Sequence, residues 1–129
     1  MKRFERANIM ILYDFEYERP SSLQEATALL SETGEGAKLL AGGTDLMPNM
    51  RVEVITPSLL VSLSAIEAVA PEKSTDGSIK IDALIKLSDL VDDELIRREL
   101  PMLAEAAHTV AGNQVRVMGT LGGNLCQES

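Results

Sequence analysis

The chain has 129 residues, room for one domain of ordinary size and not for two. Twelve Lys and Arg against twenty Asp and Glu give a formal charge of −8, with two Tyr, two Phe and no Trp. These numbers argue against nucleic acid as a partner, since duplex binding needs a basic footprint and single-strand binding needs basic grooves with aromatic platforms. At 45% apolar and 25% charged, the sequence is too apolar for disorder. The single cysteine, Cys126, excludes an internal disulfide, and no apolar run approaches the ~18 residues of a membrane span.

The basic start Met1-Lys2-Arg3 precedes a short apolar stretch that leads into acidic Asp14-Phe15-Glu16, which does not fit a signal peptide. The expected location is therefore cytoplasmic. Residues 1–12 read as an N-terminal extension, with Met10 as an alternative start. An extended piece follows near residues 15–17. Ser22 and Glu25 then form an S-x-x-E capping box that opens a helix, with Leu23, Ala26, Leu29 and Leu30 on one face and a stop at Gly34 or Gly36. Lys38-Leu39-Leu40-Ala41 reads as a buried strand ended by Gly42-Gly43, so the segment is a β-α-β unit favouring parallel pairing.

Residues 44–51 predict a short turn of helix, and Leu59-Leu60-Val61-Ser62-Leu63 a further apolar strand. Ser64-Ala65-Ile66-Glu67 repeats the capping-box pattern on a brief helix. Asp76-Gly77 is a hairpin signal between residues 69–73 and 78–84, with Ile79, Ile81 and Ala83 alternating as in a half-buried strand. Residues 88–100 carry one helical pattern, Pro101 opens the next helix, and that helix runs to about Val110 before Gly112. Residues 113–124 sustain no period.

Six of the nine glycines fall at Gly42-Gly43 and at Gly112, Gly119 and Gly122-Gly123. Glycine lets a backbone approach a ligand and aim successive N–H groups at an anion, a way for an acidic protein to hold a pyrophosphate. Neither cluster is a G-x-G-x-x-G fingerprint or a Walker loop, and each taken alone reads first as a tight turn. Thr44, Thr120 and Asn124 are small donors suited to phosphate oxygens. His108 late in a helix, and Asp92, Asp93, Glu94 and Glu99 with Arg97 and Arg98, read as ordinary surface. Met47 and Met50 are expected beneath the first glycine loop.

The full wording of two stretches is recognisable. Leu39-Leu40-Ala41-Gly42-Gly43-Thr44-Asp45-Leu46-Met47-Pro48-Asn49-Met50-Arg51 and Gln114-Val115-Arg116-Val117-Met118-Gly119-Thr120-Leu121-Gly122-Gly123-Asn124 closely resemble the two FAD-binding motifs of the molybdenum hydroxylase flavoprotein subunit. The resemblance extends from about Tyr13 to the last residue. It implies an α+β fold of the PCMH-type (vanillyl-alcohol-oxidase-like), with FAD diphosphate against both glycine loops. The implied subdomains are residues 13–58 and an incomplete unit over 59–129, the latter the first part of an antiparallel sheet with helices.

By that resemblance Leu39, Leu40, Ala41, Gly42, Gly43, Thr44, Asp45 and Leu46 form the first binding loop. Thr120, Leu121, Gly122, Gly123 and Asn124 form the opposing one, and Val110 is an apolar neighbour of the flavin. The family commonly has a Gly-Ala-Thr-Thr type segment where this chain has Asp82-Ala83-Leu84-Ile85-Lys86, so hydroxyl contacts from there are lost or moved. Family members also continue well past the second motif, which reads this chain as a domain cut short. The implied function is electron transfer between iron–sulphur clusters and an external carrier, beside a 2Fe–2S small subunit and a molybdopterin large subunit. Cys126 resembles the place in the 4-hydroxybenzoyl-CoA reductase branch where a loop holding a 4Fe–4S cluster begins; four thiolates are needed and this chain has one. The alternative is a chain that binds no flavin and acts as a docking module.

Overall fold

A parallel three-stranded sheet sets the first layer of the computed structural model, which describes residues 13–127. The extension and the Met10 alternative lie outside the described residues. β1 (Glu16–Glu18) and β2 (Ala37–Leu40) both pair in parallel with β3 (Leu59–Ser62), giving the order β1-β3-β2. Tyr17 and Lys38 stand opposite Leu60, and Leu39 opposite Val61. All four β3 residues are buried, as the continuous apolar run of a central parallel strand requires. β2 is an edge strand and not the buried strand expected: Leu39 is 47% exposed. β3, which the expected division places after residue 58, completes this sheet.

The helix α1 (Leu23–Thr33) links β1 to β2 and ends at Gly34. Ala26 joins Ala37, Leu59 and Val61 in a small core, with Leu29, Leu30 and Leu63 against it. Leu23, expected on this face, is exposed because it opens the helix one turn before Ala26 meets the sheet. Ser22 caps as expected, accepting the Glu25 amide at 3.2 Å. The Glu25 carboxylate reaches one residue beyond a capping box, accepting the Ser21 amide (2.8 Å) and hydroxyl (3.0 Å). Those bonds hold its carboxyl below the ordinary range.

After β3 the expected brief helix at residues 64–67 is only a turn, with the Ile66 amide on the Leu63 carbonyl. Ser64 is not free to cap it, because its hydroxyl oxygen accepts from Arg19 Nε (2.9 Å) and from Ser62 Oγ (3.0 Å). The hairpin forms as β4 (Glu72–Lys73) and β5 (Ile79–Lys80), antiparallel around Gly77. It is shorter than the alternation suggests. Asp82 turns the chain out of the strand, its carboxylate accepting the amides of Leu84 (2.8 Å) and Val69 (3.0 Å), and Ala83 is exposed.

The single helix expected over residues 88–100 is two, α3 (Leu87–Asp92) and α4 (Glu94–Glu99). Asp93 breaks it: its backbone is extended and its carboxylate accepts the Ile96 amide at 2.9 Å, capping α4. α5 (Pro101–Thr109) starts on Pro101 as expected. Ile85, Leu87, Leu90, Ile96 and Ala107 form the second core, with Leu100, Leu103, Val110 and Leu121 around it. α6 (Asn113–Arg116) and α7 (Leu121–Leu125) close the described chain. No sequence period announces them, because each is close to a single turn.

Candidate functional site

The two glycine stretches meet backbone to backbone. A Cβ on Gly42 would collide with the Met118 carbonyl oxygen and stand 2.8 Å from the Gly119 Cα. Gly119, buried, faces the Thr44 hydroxyl, and Gly123 faces the Ala41 methyl. The Gln127 amide nitrogen donates to Asp45 Oδ1 at 3.0 Å, a further tie across the seam. Residues 80 positions apart in sequence are thus brought side by side, as the motif reading requires.

The loops offer different chemistry. In the first, Gly43 takes φ +70°, turning the chain between β2 and α2 (Leu46–Arg51). Leu40 and Met47 lie beneath it, and Met50 is fully buried. Among the described residues, the amides of Gly42, Gly43, Thr44, Asp45 and Leu46 have no protein acceptor. Five successive free donors next to exposed Thr44 are a donor set suited to an anion. Leu39 lies on β2 and is exposed.

In the second loop four of the five backbone donors, those of residues 121–124, are already used. The amide of Leu121 donates to the Ile85 carbonyl (3.0 Å) and that of Gly122 to the Ala83 carbonyl (2.8 Å). The amide of Gly123 donates to Thr120 Oγ1 (3.1 Å) and that of Asn124 to the Thr120 carbonyl (3.0 Å). Among the described residues, the run of amides without acceptors is therefore found in the first loop and not at residues 121–124 of the second. The second presents the Asn124 side chain and the Thr120 hydroxyl, 3% exposed, whose proton has no acceptor among the described residues.

A third segment, which the motif reading did not assign, braces this loop. Residues 83–86 run antiparallel to it, with Lys86 opposite Thr120 and the Leu87 amide on the Gly119 carbonyl (3.0 Å). Gly122 presses against Ala83, 2.9 Å from where its own Cβ would stand. The departure from the Gly-Ala-Thr-Thr pattern was the one signal pointing to this segment. Beside the seam opens a cleft of about 480 Å³, lined by Ala41, Ser64, Leu84, Lys86, Asp89 and Thr120 among others. A groove of about 370 Å³ between β1 and α1 is walled by Glu18, Glu25 and Glu32, the wrong charge for a phosphate.

Val110 packs into the second core, and its carbonyl accepts Arg116 Nη1 at 3.1 Å. The same guanidinium holds the Ala111 carbonyl at 2.8 Å and so fixes a left-handed turn, φ +44° at Ala111, that sends the chain toward the second loop. His108 is exposed in the last turn of α5. Cys126 is an exposed free thiol at the end of α7. Among the described residues no group of three or more His, Cys, Asp or Glu could hold a metal ion.

The described residues form an α+β domain in which two glycine stretches from distant parts of the chain meet, one of them with a run of free amides. Comparison with known proteins specifies it: residues 13–129 match the model of the FAD binding domain in molybdopterin dehydrogenase, and the chain belongs to that family. It is 39% identical over 116 residues to the carbon monoxide dehydrogenase medium chain of Hydrogenophaga pseudoflava, covering 90% of this chain and 40% of that one. The xanthine dehydrogenase FAD-binding subunit of Escherichia coli O157:H7 is 34% identical over 117 residues, covering 89% and 40%. The structure of the Hydrogenophaga enzyme superposes with a TM-score of 0.84 over 89% of this chain and 40% of that one. Quinoline 2-oxidoreductase from Pseudomonas putida 86 superposes at 0.82 with 31% identity, covering 89% and 40%. The PCMH-type α+β fold and the FAD assignment stand on these likenesses. The chain spans about two fifths of the length of the relatives it matches.

Proposed function

We propose that this chain is the flavin-holding part of an electron-transfer subunit in a cytoplasmic molybdenum hydroxylase or dehydrogenase. The partners in this reading are a 2Fe–2S small subunit and a molybdopterin large subunit, and substrate oxidation belongs to the latter. The observation that carries it is the run of five free amides at residues 42–46, held against the second glycine loop in a chain of this family. When bound, FAD supplies one- and two-electron chemistry between the iron–sulphur clusters and an external carrier.

The chain's own residues hold and orient. The amides of residues 42–46 and the Thr44 hydroxyl would hold the diphosphate from the first loop, with Thr120 and Asn124 available from the second. Residues 83–86 and Arg116 fix that loop's position. The two separate cores support a division into two subdomains, with β3 in the first. In a longer chain that supplied three further thiolates, the exposed Cys126 thiol would serve as one ligand of an additional 4Fe–4S cluster, as in the 4-hydroxybenzoyl-CoA reductase branch.

The test is flavin retention. The purified protein, desalted, is expected to carry FAD by absorbance and fluorescence and to co-purify with molybdenum- and 2Fe–2S-containing subunits. Iron in excess of the 2Fe–2S content, in a longer chain carrying three further cysteines, would support the Cys126 reading. Protein that folds, associates with those subunits and carries no FAD would instead establish the docking-module alternative. Gly43→Val should abolish retention, because valine strongly disfavours φ +70° and its branches would strike Leu40 and Met47.

A further inference from the structure

Lys86 is the one cation lining the cleft beside the two glycine loops, in a chain whose net charge of −8 opposes any polyphosphate. Its ammonium donates to the Met118 carbonyl at 2.9 Å. That is the same oxygen against which Gly42 is pressed, so Nζ is bonded to the carbonyl at which the two loops meet. Glu67 and Asp89 line the same cleft, yet among the described residues Lys86 is in no ion pair. An ammonium has three donors, and one is used. Two N–H groups and a positive charge outside any close ion pair among the described residues remain beside the seam.

We propose that Lys86 is a direct contact for the FAD diphosphate, its ammonium completing the anion site that the amides of residues 42–46 begin. This rests on the flavin reading above. Backbone amides supply directed donors without net charge, whereas a diphosphate carries about two negative charges that a cation at the rim neutralises. The Met118 carbonyl holds the flexible lysine stem toward the seam and limits the conformational entropy lost on binding.

The test titrates FAD, ADP and riboflavin into the wild-type protein, Lys86→Gln, Lys86→Arg and a form with acetyl-lysine at position 86, each at low and high salt. Acetyl-lysine keeps the stem and an N–H donor for Met118 but removes the charge, so it also serves if Lys86→Gln folds poorly. Expected is a loss of about tenfold or more in affinity for FAD and ADP in both uncharged forms, as for losing a charged hydrogen bond. Riboflavin, which has no diphosphate, should bind unchanged, and Lys86→Arg should stay near wild type. Added salt should weaken the wild type more than the uncharged forms. Unchanged FAD affinity in the uncharged forms would overturn the proposal while leaving the flavin reading intact. Equal losses for riboflavin and FAD would also overturn it, since the lysine would then act on the ring or the fold. A wild type that binds neither FAD nor ADP would overturn both.

Discussion

Gly42→Ala is the most direct probe of the seam. The added methyl would meet the Met118 carbonyl oxygen and the Gly119 Cα, both backbone, so relief requires the two loops to separate. Overpacking of this kind costs about 1–3 kcal/mol. Shifting the Met118 carbonyl also disturbs the bond it accepts from Lys86, an exposed charged hydrogen bond that contributes at most about 1 kcal/mol. Alanine's stiffer unfolded chain returns about 0.4–1 kcal/mol. The net expectation is about 1–3 kcal/mol, a sizeable part of the roughly 5–15 kcal/mol of a whole domain. Gly43→Ala provides the contrast. It costs about 1–2 kcal/mol for the left-handed backbone, and its methyl meets only the movable ends of Leu40 (3.1 Å) and Met47 (3.2 Å). Urea unfolding of both apo variants, followed by circular dichroism, gives stability, and FAD titration gives the site. Gly42→Ala should lose more affinity than Gly43→Ala, because it parts the loops and does not merely strain one. A Gly42→Ala protein within about 0.5 kcal/mol of wild type and with full FAD affinity would refute the apposition of the two loops.

Asp93→Ala should lower stability by about 1 kcal/mol, since the Asp93 carboxylate caps α4 at the Ile96 amide, while FAD affinity stays unchanged; thermal unfolding and FAD titration check this pair. The acid limb of stability should depend on Glu25. Its carboxyl is held low by hydrogen bonds from Ser21, so its contribution is fully present above the ordinary glutamate value of 4.5 and is lost as pH falls through the lowered folded value. Glu25→Gln should therefore lower stability above that point, flatten its dependence on pH below it and leave stability in strong acid near wild type, as read by urea midpoints across pH.

The first unit was legible in the sequence because its signals are local. A capping serine, a helix stop at Gly34 and two apolar runs each act within a few residues, and the structure forms all of them. What could not be read was which run takes the middle of the sheet, because β2 and β3 are equally apolar and only the pairing decides that Leu39 faces solvent. In the second unit, aspartates overrode periodicity. Asp82 ends a strand that alternation would extend, and Asp93 splits a helix whose apolar spacing runs on. Both exchange regular backbone bonds for carboxylate–amide bonds, a competition that a hydrophobic pattern does not register. The two loops of the site were legible as a pair through their wording, whereas their difference in free amides depends on where residues 83–86 fall in space.

That difference explains how an acidic chain suits a phosphate ligand. A site built from several lysines would need those charges held together while empty, with mutual repulsion and ordering of long side chains opposing the fold. Amides left without acceptors by a glycine turn require neither, and the fold fixes their directions in advance. The surrounding carboxylates remain a long-range repulsion that salt screens beyond about 10 Å at 0.1 M, whereas the proposed amide and lysine contacts would act within hydrogen-bond reach. In that reading net charge sets the rate at which FAD arrives, and the seam sets how long it stays. Neutralising remote acidic residues such as Glu32 should accordingly raise the association rate with little change in the dissociation rate. Gly42→Ala should do the reverse.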